Sequence, residues 1–452
     1  MAFNMSKMVV QRHHSFRNIL SSAEPSSIAL SWQEKNRVLF CTYAQLLEKI
    51  DAFPLPEERC VGVICENKLE TIVAIFALAG KRRLVMLGEH DSLETLSAQI
   101  EATGVSKLYG DGELVEELSP YLVADSSKAD NDILFFTSGT TSMAKAVVLD
   151  EARLCSSAYN GGCMLPLSRK DRFLSLLPLN HVFGFVCALL WPLSFGASVQ
   201  LGGGVRTIFS DFVFFKPTVT SLVPQMAGFL VAKHLLNPEL KLALIGAGSC
   251  SDTILNGLKE SGIRVSYGYG LTETSSGIAL SIGGDPRAMS ICPDYELKIA
   301  DDGEILVRCD TTIMKGYLDA PEATEEVLHD GYLHTGDLGQ IKDGFLYLIG
   351  RKKEILVFDD GSKLYIPEYE GELATYLPID TDFAISQAED GKIVLYIARQ
   401  HNIRNRIDSF NQHYPLSHKI AKIVVVSEPL PRTASNKVQR YLLPTLKGEF
   451  LP

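Results

Sequence analysis

The segment Thr137-Ser138-Gly139-Thr140-Thr141-Ser142-Met143-Ala144-Lys145 follows directly on the apolar run Ile133-Leu134-Phe135-Phe136. This pairing constrains the chain more than any other feature. The short apolar run reads as a buried strand, and the hydroxyl-rich segment as the loop at its carboxyl end. Backbone N–H groups, hydroxyl donors and one cation at a strand end suit a polyphosphate. The loop is not of Walker type, because the lysine follows an alanine and no Gly-Lys-Thr is present. A Ser/Thr-rich surface loop without a ligand is the alternative.

The surrounding pattern is that of an α/β protein. Residues 43–50 read as an amphipathic helix, 60–65 as a buried strand, 69–78 as a helix and 84–87 as a strand. Further strand-like segments follow at 172–179, 218–223, 242–246 and 265–267. Strands alternating with helices predict parallel sheets covered on both faces. After residue 300 the strands are short and separated by Asp-Gly turns, as in 304–308 and 345–349, which predicts a small β-rich unit. From about residue 350 a further stretch of roughly 100 residues has the size of a small domain.

Composition narrows the function. A net charge of −11 argues against a nucleic-acid partner and against broad binding to anionic membranes. It also means that any site for an anionic ligand must be locally positive, and Lys419, Lys422, Arg432, Lys437 and Arg440 give the C-terminal tail that character in sequence. No apolar stretch is long enough to span a bilayer. The nine cysteines form no Cys-x-x-Cys pair and read as reduced core residues, pointing to a cytoplasmic enzyme.

Four more segments accompany the hydroxyl-rich loop: Gly268-Tyr269-Gly270-Leu271-Thr272-Glu273-Thr274, His334-Thr335-Gly336-Asp337, Gly350-Arg351-Lys352-Lys353, and Pro431-Arg432-Thr433-Ala434-Ser435-Asn436-Lys437-Val438-Gln439-Arg440. In this order the five resemble the signature segments of the AMP-forming adenylating enzymes, and Leu271 to Ser275 with Lys315-Gly316-Tyr317 look most like long-chain fatty-acyl-CoA synthetases. The resemblance implies a large N-terminal domain, residues 1–350, of two α/β subdomains plus a small β-barrel-like one. A small mobile α+β domain, 351–452, would turn about a hinge at Lys353. It also implies ATP, Mg²⁺ and CoA as reactants or cofactors, with a carrier-protein phosphopantetheine arm as the alternative thiol.

The same resemblance assigns roles. Lys437 would offset charge on the reacting carboxylate and α-phosphate. Glu273, with Thr272 beside it, would hold Mg²⁺, for which a hard carboxylate oxygen is suitable. Thr137, Ser138, Gly139, Thr140, Thr141 and Lys145 would cradle the phosphates. Tyr269 and Gly270 would take the adenine, Asp337 the ribose hydroxyls, and Arg351 the ribose or a phosphate. Ser142, Ala144, Ala146 and Asn436 stand where relatives usually carry glycine, proline, glycine and glycine. The added Cβ atoms restrict φ and limit how closely a phosphate approaches the backbone, so weakened ATP handling is expected.

Leu177-Pro178-Leu179-Asn180-His181-Val182-Phe183-Gly184-Phe185 contains no acid to pair with a substrate ammonium, which disfavours an amino acid as substrate. His181 resembles the histidine that acyl- and aryl-CoA ligases place beside the acyl carbonyl. Phe183, Val223, Gly246, Ala247, Gly248 and Gly268 would wall the acyl pocket, with Met226 and Phe229 nearby. The expected activity is therefore adenylation of a fatty or aromatic acid, followed by transfer to CoA. A stand-alone enzyme loading a carrier protein, and a degenerate nucleotide- or acyl-binding protein, are the competing readings.

Overall fold

A computed structural model describes residues 10–35, 37–125, 130–137, 144–248, 250–378, 381–399, 402–432 and 438–451. Two sheets carry its larger part. One has six strands, in the spatial order Gly316–Tyr317, Ala146–Leu149, Ile133–Phe136, Arg83–Gly88, Cys60–Cys65 and Lys107–Tyr109. The other has nine, running from Ser290–Ile291 through Ser276–Leu280, Arg264–Leu271, Leu242–Ile245, Val219–Leu222, Arg172–Ser175, Ser198–Leu201 and Ile28–Glu34 to Arg37–Thr42. Six neighbouring strands of this larger sheet, from Arg264–Leu271 to Ile28–Glu34, are parallel, and antiparallel strands close both ends. Near-continuous apolar strands such as Cys60–Cys65, buried at every position, require helices on both faces.

Helices joined by aromatic contacts fill the space between the sheets. The rings of Phe16, Phe76, Phe135 and Phe185 meet at centroid distances of 4.8 to 6.4 Å, within the range at which aromatic pairs attract. They come from the helix Phe16–Ser21, the helix Leu69–Leu78, the strand Ile133–Phe136 and the short helix Val182–Phe185. The last of these continues through a π-turn, Val186–Leu190, into Trp191–Ser194. Gly184 is required at its start, because a Cβ there would lie 2.1 Å from the Pro178 carbonyl oxygen.

A five-stranded sheet follows, built from Glu296–Ile299, Glu304–Arg308, Leu328–His329, Tyr332–Lys342 and Phe345–Arg351. After a 3₁₀ turn at Lys352–Glu354 come the hairpin Ile355–Val357 with Lys363–Tyr365, the helix Ile366–Ala374, and a four-stranded sheet. That sheet runs Phe383–Gln387, Ile393–Ala398, Ile420–Val426 and Gly448–Leu451, with its own apolar core around Leu373, Leu395, Phe410 and Ile423. The architecture is the expected α/β one with a small β unit and an α+β C-terminal part. No helix among the described residues is long and apolar enough to cross a membrane.

Two features differ from the sequence expectation. The Thr-Gly-Asp segment lies not between short strands but in a bulge inside the long strand Tyr332–Lys342, where the register to Glu304–Arg308 shifts and Gly336 takes φ +70°. The positive character of the C-terminal tail is also partly neutralised in space. Arg440 makes a bidentate pair with Glu370, Arg432 pairs with Asp382 at 2.6 Å, and Lys422 with Asp390 at 3.1 Å. Those acids lie 32 to 70 residues away, so the local sequence count overstates the charge.

One long-range tie holds the N-terminal segment. Arg12 donates through both terminal nitrogens to Asp294 at 2.7 Å, and the carboxylate also accepts from Thr311 and Asn160. The Arg12 bonds, working against burial, hold the Asp294 carboxyl below the usual carboxylate range. A lowered carboxylate stabilises the fold at pH above its unfolded value and loses that contribution as pH falls through the folded one. Asp294→Asn should cost about 1–3 kcal/mol at neutral pH by urea unfolding. The gap to the parent protein should begin to narrow as the pH drops below ~4 and close only as it passes the lower folded value.

Candidate functional site

Tyr269, Glu273, Asp337 and Arg351 collect where the large sheet ends against the five-stranded one. The strand Arg264–Leu271 delivers Tyr269 and runs into the 3₁₀ turn Thr272–Thr274, which carries Glu273. Gly270 sits where the returning strand presses closest, since a Cβ there would lie 1.7 Å from the Ser276 carbonyl oxygen. Ser275 and Ser276 hold φ of +55° and +118°, uncommon for residues with a side chain. The turn is pinned by Met314 N–H donating to the Glu273 carbonyl, and by the buried Tyr295 hydroxyl donating to that of Thr274.

Asp337 is the centre of this arrangement. It is buried, and one carboxylate oxygen accepts from the Tyr269 hydroxyl at 2.9 Å while the other accepts from Arg351 Nε at 2.7 Å. Burial and the facing carboxylate push the Tyr269 phenol well up, so it stays a donor. Burial opposes the charge on Arg351, but Asp337 outweighs it and raises the guanidinium further. Glu304 shapes the bulge from behind, accepting from Gly336 N–H at 2.7 Å and from Lys352 Nζ at 2.9 Å. A carboxylate offers roughly four acceptor positions, so a buried carboxylate here suits ribose hydroxyls as well as these two donors.

Glu273 forms a second node. Its Oε1 accepts from the Tyr317 hydroxyl at 2.7 Å, and the Lys145 ammonium lies 4.7 Å from the centre of the Tyr317 ring. Burial and Glu273 together keep that phenol protonated. Lys145 is held by the base of its loop, where Lys145 N–H donates to Thr137 Oγ1 at 3.2 Å and Thr137 N–H to the Lys145 carbonyl at 3.0 Å. A half-buried carboxylate beside a hydroxyl suits Mg²⁺, which usually keeps waters and takes substrate phosphates rather than an all-protein cage. No cluster of three or more His, Cys, Asp or Glu able to hold a metal occurs among the described residues. Ser138, Gly139, Thr140, Thr141 and Lys437 lie outside the described residues.

The residues expected at an acyl pocket come from the short helix Val182–Phe185 and the residue before it, and from the strands Val219–Leu222, Leu242–Ile245 and Arg264–Leu271 or the residues that follow them. Half-buried His181 caps the helix Val182–Phe185, and the Phe183 ring lies over Gly246, where a Cβ would come within 2.8 Å of it. Val223 precedes the helix Pro224–Ala232, Ala247 turns the chain with φ +62°, and the Gly248 carbonyl accepts from the Tyr267 hydroxyl at 2.7 Å. Gly268 packs against Leu280. Met226 belongs to the apolar core, whereas Phe229 is exposed.

Glu304, Tyr267 and Tyr365 are site neighbours that the sequence motifs did not single out. Tyr365, from the first C-terminal hairpin, rests on Gly350, where a Cβ would lie 2.1 Å from its ring. Burial pushes the Tyr267 and Tyr365 phenols up to about 12. The glycine before Arg351 was the available signal for Tyr365. Lys353, the expected hinge, lies in the exposed 3₁₀ turn Lys352–Glu354.

Comparison with known proteins matches residues 81–318 to the model of the AMP-binding enzyme family. The 2-succinylbenzoate–CoA ligase of Bacillus licheniformis is 28% identical over 87% of this chain and 91% of its own length. The enzyme of the same name from Bacillus subtilis is 26% identical over 94% and 97%. In fold, the chain is similar to O-succinylbenzoate coenzyme A synthetase from Bacillus subtilis in complex with AMP, with TM-score 0.82 and 24% identity over 97% of this chain and all of that one. It is also similar to the anthranilate CoA ligase AuaEII in complex with anthranoyl-AMP, with TM-score 0.79 and 20% identity over 96% and 97%. With the family model covering more than half of its length, the chain belongs to the AMP-binding enzyme family, the AMP-forming adenylating enzymes whose signature segments it carries.

Proposed function

We propose that the protein is an ATP-dependent acid–CoA ligase acting on an aromatic carboxylic acid. The observation that carries this reading is the buried Asp337 held between Tyr269 and Arg351, next to the Glu273–Tyr317–Lys145 node. In the proposed reaction a carboxylate oxygen attacks the α-phosphorus of ATP and the bond to pyrophosphate breaks. The thiol of CoA then attacks the acyl carbon and AMP leaves. Both reactants of the first step are anions, so neutralisation and alignment matter more than a proton base. The aromatic class is favoured over the fatty class, to which the Lys315-Gly316-Tyr317 likeness pointed, because the similar ligases named above act on succinylbenzoate and anthranilate.

Asp337 would accept the ribose hydroxyls and so fix where the α-phosphate falls, with Arg351 holding that carboxylate in place. Lys145 would face the phosphates, and Tyr317 would orient Glu273. Mg²⁺, held by Glu273 and the phosphates, would neutralise charge on the leaving pyrophosphate. Lys437 would supply the remaining positive charge. The division into 1–350 and 351–452, with rotation at Lys353 between the two half-reactions, belongs to the same proposal. So does a cytoplasmic location, which suits nine cysteines that are all free thiols.

Acid-dependent pyrophosphate release, assayed across aromatic, fatty and amino acids with and without CoA, tests the reading. Aromatic acids should give release with CoA consumed. Release without CoA consumption would favour a carrier-protein acceptor, and no release from folded protein a binding role. Lys437→Ala should lower the release rate by about 10²–10³-fold while nucleotide binding persists, the scale of losing one donor to developing charge. Asp337→Ala should weaken AMP binding by about 1.5–3 kcal/mol in calorimetry, the worth of a hydrogen bond to a charged group. Glu273→Gln should shift the Mg²⁺ titration of activity to higher metal concentration, and an unshifted curve would remove this residue from the site.

A further inference from the structure

Three successive residues at the turn that carries Glu273 are each bonded from outside it. Met314 N–H donates to the Glu273 carbonyl at 2.8 Å, the Tyr295 hydroxyl to the Thr274 carbonyl at 3.0 Å, and Ser275 Oγ to the Thr312 carbonyl at 2.7 Å. Thr312 Oγ1 in turn donates to the Tyr295 hydroxyl at 2.7 Å, so the phenol accepts one bond and gives one. Thr274, Ser275 and Thr312 are fully buried and Tyr295 nearly so. At this depth a lost bond leaves a polar atom without water to replace the partner. Burial also pushes the Tyr295 phenol well up, so it stays a donor.

The groups that make these bonds are themselves anchored elsewhere. Arg153 Nε donates to the Ile313 carbonyl at 2.7 Å, Lys315 Nζ pairs with the buried Asp132 at 2.7 Å, and Gly316–Tyr317 pairs with the strand Ala146–Leu149. The same segment also meets the Glu273 carboxylate from its other end, through the Tyr317 hydroxyl. Beside Tyr295, Asp294 accepts from Thr311 Oγ1 at 2.9 Å and from Arg12. The bonds to the turn therefore act as a brace. What they hold is strained, since Ser275 and Ser276 both have positive φ, and such backbone persists only where its surroundings over-determine it. Within the turn Thr274 Oγ1 accepts from Leu271 N–H and donates to the Ser276 carbonyl, which sets its shape. The bonds from Tyr295 and Met314 set its place.

We propose that Tyr295, supported by Thr312, is a positioning residue for the metal: it fixes the turn so that the Glu273 carboxylate is already in place when Mg²⁺ arrives with the nucleotide phosphates. This rests on the reading of Glu273 as the carboxylate that holds Mg²⁺. A phenol serving the core alone could meet any nearby carbonyl. This one meets the carbonyl of the residue next to Glu273, in a turn that strain would otherwise relax. A carboxylate free to move must be ordered as the metal binds, and the entropy of that ordering is subtracted from the affinity. A carboxylate held beforehand avoids the loss.

Calorimetric binding of the α,β-methylene analogue of ATP to the full chain, with and without Mg²⁺, tests this, and AMP serves as the metal-free reference. In Tyr295→Phe the factor by which Mg²⁺ tightens binding of the analogue should fall about three- to tenfold, the worth of one ordinary hydrogen bond. Affinities for AMP and for the metal-free analogue should stay at the parent values. Thr312→Val should move the Mg²⁺ factor in the same direction and Thr312→Ser should keep it, and this pair decides if Tyr295→Phe does not fold. An unchanged factor in the folded variants would overturn the inference. So would equal weakening of AMP and of the magnesium complex, which marks a general loss of structure. Glu273→Gln separates the two levels. If it leaves the Mg²⁺ factor intact, Glu273 does not hold the metal and both readings fall. If it lowers the factor while Tyr295→Phe does not, the positioning role alone falls.

Discussion

A buried carboxylate survives only where donors meet both its oxygens, and the Asp337 node shows how much structure that demands. Its donors arrive from different layers: Tyr269 from the end of a parallel strand in the large sheet, and Arg351 from the last strand of the five-stranded sheet. Leaving either oxygen unmet would cost more than the bond contributes, because an uncompensated charge away from water is expensive. The junction of two sheets is therefore tied at one buried charge that takes donors from both. The bulge at Gly336 and the Glu304 contact behind it exist to aim that charge.

The same economy governs the rest of the chain's electrostatics. A molecule of net −11 that handles anions has to keep its cations where they matter and cancel the others. Arg440, Arg432 and Lys422 are cancelled within the C-terminal part by Glu370, Asp382 and Asp390. Lys315 is taken by the buried Asp132. Lys145, by contrast, lies over an aromatic face beside Glu273, with no carboxylate in contact among the described residues. Its charge is left available to a ligand that approaches the loop.

Periodicity and motif order made the scaffold legible. The strands Cys60–Cys65, Ile133–Phe136 and Glu304–Arg308 and the helix Leu69–Leu78 begin and end where the apolar pattern does. Each is bounded by residues that cannot continue the pattern, so local chemistry sufficed. The segments holding Tyr269, Glu273, Asp337 and Arg351 were readable for a different reason, since they stand in a recognisable order along the chain. What was not readable depends on distant partners. Arg12 and Asp294 are 282 positions apart, and nothing local marks them as a pair. Glu304 looked like an ordinary strand residue until the bulge turned Gly336 N–H toward it. The π-turn at Val186–Leu190 carries no compositional mark, because its neighbours are as apolar as a regular helix would have them.

The contact of Phe183 with Gly246 has a consequence for descent as well as for shape. A methyl group at 246 would overlap the ring, and Gly184 next door admits no side chain because the Pro178 carbonyl fills that space. The helix therefore has no room to retreat, and neither partner can be enlarged alone. Lineages that remodel this wall must trade bulk between the two sites, an aromatic here against a bare backbone there. Their substitutions should travel together, and such linked drift would outlast any single preference in ligand.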